Sequence, residues 1–244
     1  MLNILRAEHL KMRHTFGNAL PVIAPVFSLC FVLVVAFGTG NTLPAFTWNI
    51  WYTTLLPGMA AIICYLGISK DKKIHYCNIL SVPLPVIKLL AGKVFYCFAG
   101  LFISNIILCA GTFIFAMFAG TTASISGSLM AVVLLCITYL WEIPLYILLS
   151  LHFKMAGCLL SCMFLVFTDF IFASNKLWWI WPSSIPSRLM CPVLGIMPSG
   201  VLAPALSPLL DSSVILPGII ISFVWFIFLS VLLILYFKRK VVKG

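Results

Sequence analysis

Two acidic residues, Glu142 and Asp169, lie inside long apolar stretches of the sequence. A charged group in hydrocarbon is costly, and it normally faces protein or a water-filled cavity. Counted at about 1.5 Å per residue, Glu142 falls toward one face of the membrane and Asp169 near the opposite face. We therefore expect no paired-carboxylate catalytic site. Glu142, next to a helix kink at Pro144, is expected to serve structure or gating, or to contact a substrate.

The other residue types that carry chemistry form no recognisable motif. The nine cysteines and four histidines are scattered, and no HExxH pattern occurs. Cys158 and Cys162 share a helix face, where small apolar packing explains them better than metal binding does. The chain has neither GxxxxGK[ST] nor GxSxG. It is therefore expected to be no enzyme and to bind no cofactor, although a membrane-embedded enzyme built on Glu142 and Asp169 stays an alternative.

The composition is that of a membrane protein. Hydrophobic residues make up 63% of the chain and charged residues 8%, and the mean hydropathy is +1.19. This is too little polar surface to cover a soluble globule. The net charge of +10 comes from basic residues at the ends of apolar runs. That placement indicates membrane topology and argues against a nucleic-acid partner.

Six apolar runs are near or above the length of about 20 residues that a helix needs to cross a bilayer. They predict an all-α, single-domain polytopic protein over residues 1–244. The predicted spans are 20–37, 50–68, 94–118, 128–151, 155–173 and 214–237.

The N-terminal segment before the first span has the pattern of a helix lying in the membrane interface. Its stripe of Leu2, Leu5, His9, Met12 and Phe16 repeats at three- and four-residue spacing, with basic residues mostly off the stripe. A plain charged lead-in is the alternative.

The distribution of Lys and Arg predicts the orientation. Thirteen of the fifteen lie on the side of the termini, and the other side has only Lys176 and Arg188. Positive loops stay in the cytosol, so both termini are expected there, in a bacterial cytoplasmic membrane.

Two connections between spans stand out. Residues 69–93 carry five lysines, with prolines at 83 and 85, and we expect a cytosolic docking site for a soluble partner there. Residues 175–213 are predicted on the outer side, where six prolines prevent an uninterrupted helix. The latter segment serves either as an aromatic anchor with a long connector or as a cap over an exit.

The segment DKKIHYCNILSVPLPVIKLLAGK resembles the cytosolic loop of ABC-2 type transporter permeases. The matching residues are Asn78, Ile79, Leu80, Ser81, Pro83 and Lys93. The later segment WWIWPSSIPSRLMCPVLGIMPSG is similar to the outer segment of lantibiotic-immunity permeases of the MutE/EpiE type. The residues that carry this similarity are Trp178, Pro182, Pro186, Arg188, Pro192, Gly195, Pro198 and Gly200.

The resemblance implies a six-helix half-transporter with a coupling helix between spans 2 and 3. Its implied partners are a second permease, identical or different, membrane lipid, and two copies of a cytosolic ATPase that bind ATP and Mg. The implied task is the expulsion of a lantibiotic or similar cationic antimicrobial peptide from the membrane.

Two groups of site residues follow from this resemblance and from the residue patterns. The ATPase-coupling residues are expected to be Asp71, Lys72, Lys73, Tyr76, Asn78, Ile79, Leu80 and Pro83. The candidates for substrate contact or gating are Glu142, Asp169, Trp178, Trp179, Trp181 and Arg188. Export of a lipid, drug or polysaccharide is an alternative, as is a non-ABC channel or immunity protein that only binds the peptide.

Overall fold

A computed structural model describes residues 2–35, 43–73, 85–119, 124–204 and 206–239. These residues form helices joined by turns, and their only β pairing is a single antiparallel bridge between Ile196 and Leu202. The prediction of an all-helical protein is confirmed.

The helices follow one another in a simple order. They are α1 (Leu2–Met12), α2 (Phe16–Val35), α3 (Leu43–Ile50), α4 (Leu56–Lys73), α5 (Val86–Ala119), α6 (Ile125–Thr138), α7 (Glu142–His152), α8 (Met155–Phe172), α9 (Ser184–Leu194) and α10 (Ile215–Phe237). A π-helical turn, Trp51–Leu55, joins α3 to α4, and two 3₁₀ turns, Pro208–Leu210 and Ser212–Val214, precede α10.

Five helical stretches of the described residues are long and apolar enough to cross a membrane. The count rises to six if α6 and α7, which meet at a bend of 41°, form one broken span. The apolar helices bear out a membrane protein, and two of the differences from the predicted boundaries affect the candidate site. The helix predicted over 50–68 continues to Lys73, and the helix predicted to begin at residue 94 begins at Val86.

The N-terminal segment forms the expected helix. α1 packs against α5, α4 and α2, and its last residue, Met12, is fully buried. Gly92 of α5 lets the helices approach closely, since a Cβ added there would lie 2.4 Å from Cγ2 of Ile4. The seam between α1 and α5 is therefore tight enough to position side chains on both helices.

The centre of the bundle is built around α4. This helix packs against α7, α8 and α2, and the fully buried Trp51, Tyr52 and Leu56 mark the junction of the π-helical turn with α4. Trp51 Nε1 donates to Asn105 Oδ1 at 2.8 Å, so the π-helical turn is also hydrogen-bonded to α5. Buried polar groups of this kind fix one arrangement of the helices.

The connection between α8 and α10 folds back onto the bundle. α9 packs against α6 and α8, and most of its side chains are buried. It ends at Gly195, whose φ of 67° is the left-handed conformation that glycine adopts most easily. A second turn, at Gly200, is held by Asn49, whose Nδ2 donates to Pro198 O at 3.1 Å.

Gly218 tests the packing of α9 on α10. A Cβ there would lie 2.5 Å from Cδ1 of Leu189, so Gly218→Val should lower the free energy of unfolding by about 1–3 kcal/mol through overpacking. Gly58→Val is the matched control, because no atom lies within 4 Å of a Cβ at that helical glycine. Thermal unfolding of both purified variants measures the difference. Equal losses in the two variants would contradict this packing.

Candidate functional site

Four charged side chains meet where α1 crosses α4 and α5. Lys11 Nζ lies 2.7 Å from Glu8 Oε1 and 2.9 Å from Asp71 Oδ1. Lys93 Nζ lies 3.2 Å from Glu8 Oε1 and is also paired with Asp71. We call Glu8, Lys11, Asp71 and Lys93 the charged cluster.

The charged cluster is formally neutral, with Glu8, Asp71 and Lys93 buried and Lys11 half-buried. Asp71 has no exposed surface, and the side chains of Lys93 and Glu8 are 5% and 9% exposed. Removing four charges from water is costly, and it is compensated only when every charge has close partners. Each acid here contacts both lysines, and each lysine contacts both acids. The four charges can therefore be buried together. Removing any one of them would leave a buried charge without one of its partners.

The charged cluster has members on both sides of residues 74–84, which contain most of the residues predicted to couple to an ATPase. Asp71 lies at the end of α4 just before residues 74–84, and Lys93 lies in the first turns of α5 just after them. The pair between Asp71 and Lys93 thus ties together the two helices that lead into and out of this segment. Lys72 adds a second tie, since its Nζ donates to Ser150 O of α7 at 2.7 Å.

The structure corrects the expected role of Asp71. We expected it on an exposed docking face, but it belongs to α4 and faces the charged cluster, because the helix extends five residues further than predicted. Lys72 is half-buried and Lys73 is exposed. The other expected coupling residues, Tyr76, Asn78, Ile79, Leu80 and Pro83, lie outside the described residues.

Glu142 and Asp169 also differ from expectation, because they lie together. Both line one cavity of about 10 Å³, and both are buried, at 2% and 5% exposure. Thr53, Tyr139 and Ser183 line the same cavity. The prediction that the two acids sit near opposite faces of the membrane is wrong. We call Glu142 and Asp169 the carboxyl pair.

The two acids lie together because α7 and α8 form a helical hairpin and both residues lie at similar distances from its turn. α7 and α8 are joined at Phe153 and Lys154, and from that turn Glu142 lies about 15 Å along α7 and Asp169 about 21 Å along α8. Counting each acid from the start of its own predicted span measured Glu142 from the outer end of its helix and Asp169 from the turn, so the two counts had no common origin. The register of the helical hairpin was the signal in the sequence that could have placed the two acids side by side.

Two irregular segments meet beside the carboxyl pair. The hydroxyl of Tyr139, in the break between α6 and α7, donates to the backbone oxygen of Tyr52 in the π-helical turn. Tyr52 OH in turn accepts from Asn49 Nδ2 at 3.0 Å. π-helical turns and helix breaks interrupt the regular backbone hydrogen bonds and are common at functional sites.

The remaining candidates lie around α9. Trp178 and Trp181 are half-buried, Trp179 is exposed, and Trp181 Nε1 donates to Thr168 Oγ1 at 2.7 Å. Arg188 is buried and donates to the carbonyl oxygens of Pro208 and Leu209, so it holds the turn before α10. Of these six candidates, the structure brings together only Glu142 and Asp169 in one cavity.

Glu8 and Lys11 are the members of the charged cluster that sequence reasoning missed. They lie three residues apart on α1, a spacing that pairs opposite charges on a helix. In the described ranges, no group of three or more His, Cys, Asp or Glu side chains is arranged to hold a metal ion. Comparison of this chain with protein-family models, characterised proteins and solved structures gives no match.

Glu8→Gln tests whether the charged cluster holds α1 in place. The neutral amide loses two ion pairs, so α1 should detach more often and its backbone amides should exchange with solvent at least about tenfold faster. Arg6→Gln is the matched control, because it changes one exposed charge on the same helix. Hydrogen exchange of the purified chain measures both variants. Unchanged hydrogen exchange in Glu8→Gln would show that the charged cluster does not hold α1 in place.

Lys11 should make the stability of the folded protein depend on pH in the alkaline range. Burial lowers the pKa of Lys11, but the carboxylates of Glu8 and Asp71 raise it more, and the result lies above the ordinary 10.5. A raised pKa in the folded state means that this stabilisation is complete below about pH 10.5 and is lost as the pH rises through the folded value.

Lys11→Arg should therefore keep its thermal stability further into the alkaline range, because arginine stays charged. Thermal unfolding of both proteins between about pH 9 and 12 tests this prediction. Coincident pH profiles would show that Lys11 does not titrate against the two carboxylates.

Proposed function

We propose that this chain is the membrane-spanning permease subunit of an ATP-driven ABC exporter of the ABC-2 type. The observation that carries the proposal is the tie between α4 and α5 on both sides of residues 74–84, the segment that resembles a coupling helix. Because α4 and α5 are tied to each other, a force applied to the segment between them would be transmitted into the bundle. Flexible connections would dissipate that force.

The proposed mechanism begins at a separate ATPase. The sequence has no P-loop motif of its own, so two partner ATPase subunits would supply ATP and Mg. Closure of the ATPase dimer would press on residues 74–84, and Pro83 and Pro85 would stiffen the return into α5. The charged cluster would then move α1, α4 and α5 as one unit against the rest of the bundle.

The orientation belongs to the same proposal. The end of the bundle with α1 and both termini would face the cytosol, as the excess of Lys and Arg favours, and α9 would face outward. A second permease, the same chain or a different one, would complete the transporter in a bacterial cytoplasmic membrane.

The proposed substrate is a lantibiotic or a similar cationic, amphipathic peptide taken from the membrane. Support comes from the resemblance of residues 178–200 to immunity permeases and from the exposed ring of Trp179 at the proposed outer side. The expected activity is resistance of the producing or target cell to the peptide.

A lipid or another amphipathic substrate is a second candidate. A cavity of about 440 Å³ opens between α5 and α10, and its lining is apolar apart from Ser230. Such a cavity suits an acyl chain or an apolar drug. Survival assays and transport assays with a panel of peptides and lipids distinguish the two candidates.

Replacing Ile79 and Leu80 with aspartate tests the coupling segment. The double variant I79D/L80D should still insert in the membrane, yet its binding to the ATPase should weaken by about 2 kcal/mol, which is more than tenfold. The variant I79V/L80I is the matched control, because it keeps both positions apolar. Co-purification of the complex and survival under lantibiotic challenge measure the effect.

An inactive ATPase in the otherwise intact complex gives the second control. Resistance that persists with the inactive ATPase, or an I79D/L80D variant that still binds and responds to the ATPase, would contradict the proposed function.

A further inference from the structure

The carboxyl pair is an unusual feature that the proposed function does not use. Glu142 begins α7 directly after the break at 139–141, and Asp169 lies near the end of α8. The surrounding elements are the π-helical turn, which contributes Thr53, and the turn before α9, which contributes Ser183. Four separate elements therefore close around two carboxyl groups.

One oxygen of each carboxyl group has no hydrogen-bond partner. Asp169 Oδ2 accepts from Ser187 Oγ at 2.6 Å, but Asp169 Oδ1 and Glu142 Oε2 are buried and unpaired. A buried carboxylate oxygen without a partner costs several kcal/mol, so each is expected to have a ligand. Both oxygens belong to side chains that line the same cavity.

No Lys, Arg or His lines the cavity that these two acids share. The ion pairs of the charged cluster include neither of the two acids. Arg188 is the basic residue of α9, and its guanidinium binds the carbonyl oxygens of Pro208 and Leu209. The other titratable groups around the pair are Tyr52, Cys64, Tyr139, Tyr146, Cys162 and Cys191. Tyrosine and cysteine carry no positive charge in either form.

Two negative charges on side chains that line one small buried cavity would repel each other strongly. Like charges that share a dry site do not both ionise, and one group takes up a proton instead. A protonated carboxyl group becomes a hydrogen-bond donor, so a single proton can satisfy an oxygen on each side. The cavity volume of about 10 Å³ is close to the minimum for one bridging water.

We propose that Glu142 and Asp169 form a proton-binding site that holds one proton, shared between the two groups directly or through one water molecule. The site takes a proton from solvent and releases it to solvent, with no other bond formed or broken. With the proton bound, the pair carries one negative charge and the surrounding elements stay closed. Release of the proton leaves the pair with two negative charges, and water must then enter between α7, α8 and α9.

The proposal stands apart from the export function. It requires no ATPase and no substrate, so it can be tested on the purified chain in a bilayer of ether-linked lipids, which lack ester carbonyl groups. The chain has five acidic side chains, Glu8, Asp71, Glu142, Asp169 and Asp211. This small number makes an infrared count of protonated carboxyl groups practical.

Infrared spectroscopy at neutral pH tests the proposal. The full chain should show the C=O stretching band of one protonated carboxyl group, and the band should shift in D₂O. Labelling with ¹³C-carboxyl glutamate or aspartate assigns it to a residue type without any mutation. The band should disappear in E142Q/D169N and remain in D211N, the control at an exposed acid.

Three results would overturn the proposal. The first is a wild-type spectrum without a protonated carboxyl band, and the second is a band that survives in E142Q/D169N. The third is a band that vanishes when sodium replaces choline in the buffer, because a metal cation would then be the ligand of the pair.

Discussion

A buried lysine and a buried aspartate, Lys93 and Asp71, hold together the two helices on either side of residues 74–84. Neither charge tolerates isolation in an apolar bundle, so each requires the other, and both require Glu8 and Lys11 of α1. The position of α1 is therefore set by charge as well as by apolar packing. Any movement of α4 relative to α5 at this end must break or carry the whole charged cluster.

The interior of the bundle is built on a different principle. There the backbone itself is irregular, with a π-helical turn at 51–55 facing a helix break at 139–141. The hydrogen bond from Tyr139 to the backbone of Tyr52 joins these two irregular segments. The carboxyl pair lies beside this junction of irregular backbone, where addition or loss of one charge would affect several helices at once.

These two features suit different parts of the proposed transport cycle. The charged cluster is neutral as a set and links helices rigidly, which suits transmission of force from the proposed coupling segment. The carboxyl pair has no basic side chain in its cavity and lies between α7, α8 and α9, which suits a change in hydration. The charged cluster lies on α1, α4 and α5, and the carboxyl pair lies on α7 and α8. α4 packs against both α7 and α8 and so connects the two sites.

The helical architecture could be predicted from the sequence because apolar runs of fixed length identify membrane helices with little ambiguity. The N-terminal helix could also be predicted, since its apolar residues repeat every three to four positions. The ends of the helices were harder to predict. Asp71 and Lys93 were assigned to a loop because charged residues usually end a span, and only tertiary pairing with α1 reveals that they continue the helices.

The proximity of Glu142 and Asp169 was missed for a related reason. Each acid was counted from the start of its own predicted span, although the two helices run in opposite directions from the turn at 153–154. Pro144 indicated a kink nearby, but neither its size nor its direction can be read from composition. Long-range pairing of single polar residues leaves no periodic signal in a sequence, and the charged cluster and the carboxyl pair are both of this kind.

The coupling energy between Asp71 and Lys93 is the most direct measure of the central claim. The variants D71N and K93M should each lose about 3–5 kcal/mol of unfolding free energy, because each leaves a buried charge without its partner. The double variant leaves Glu8 paired with Lys11, so it should lose clearly less than the sum of the two. Losses that add to within about 0.5 kcal/mol would show that the two residues do not act together and would contradict a clamp at this end of the bundle.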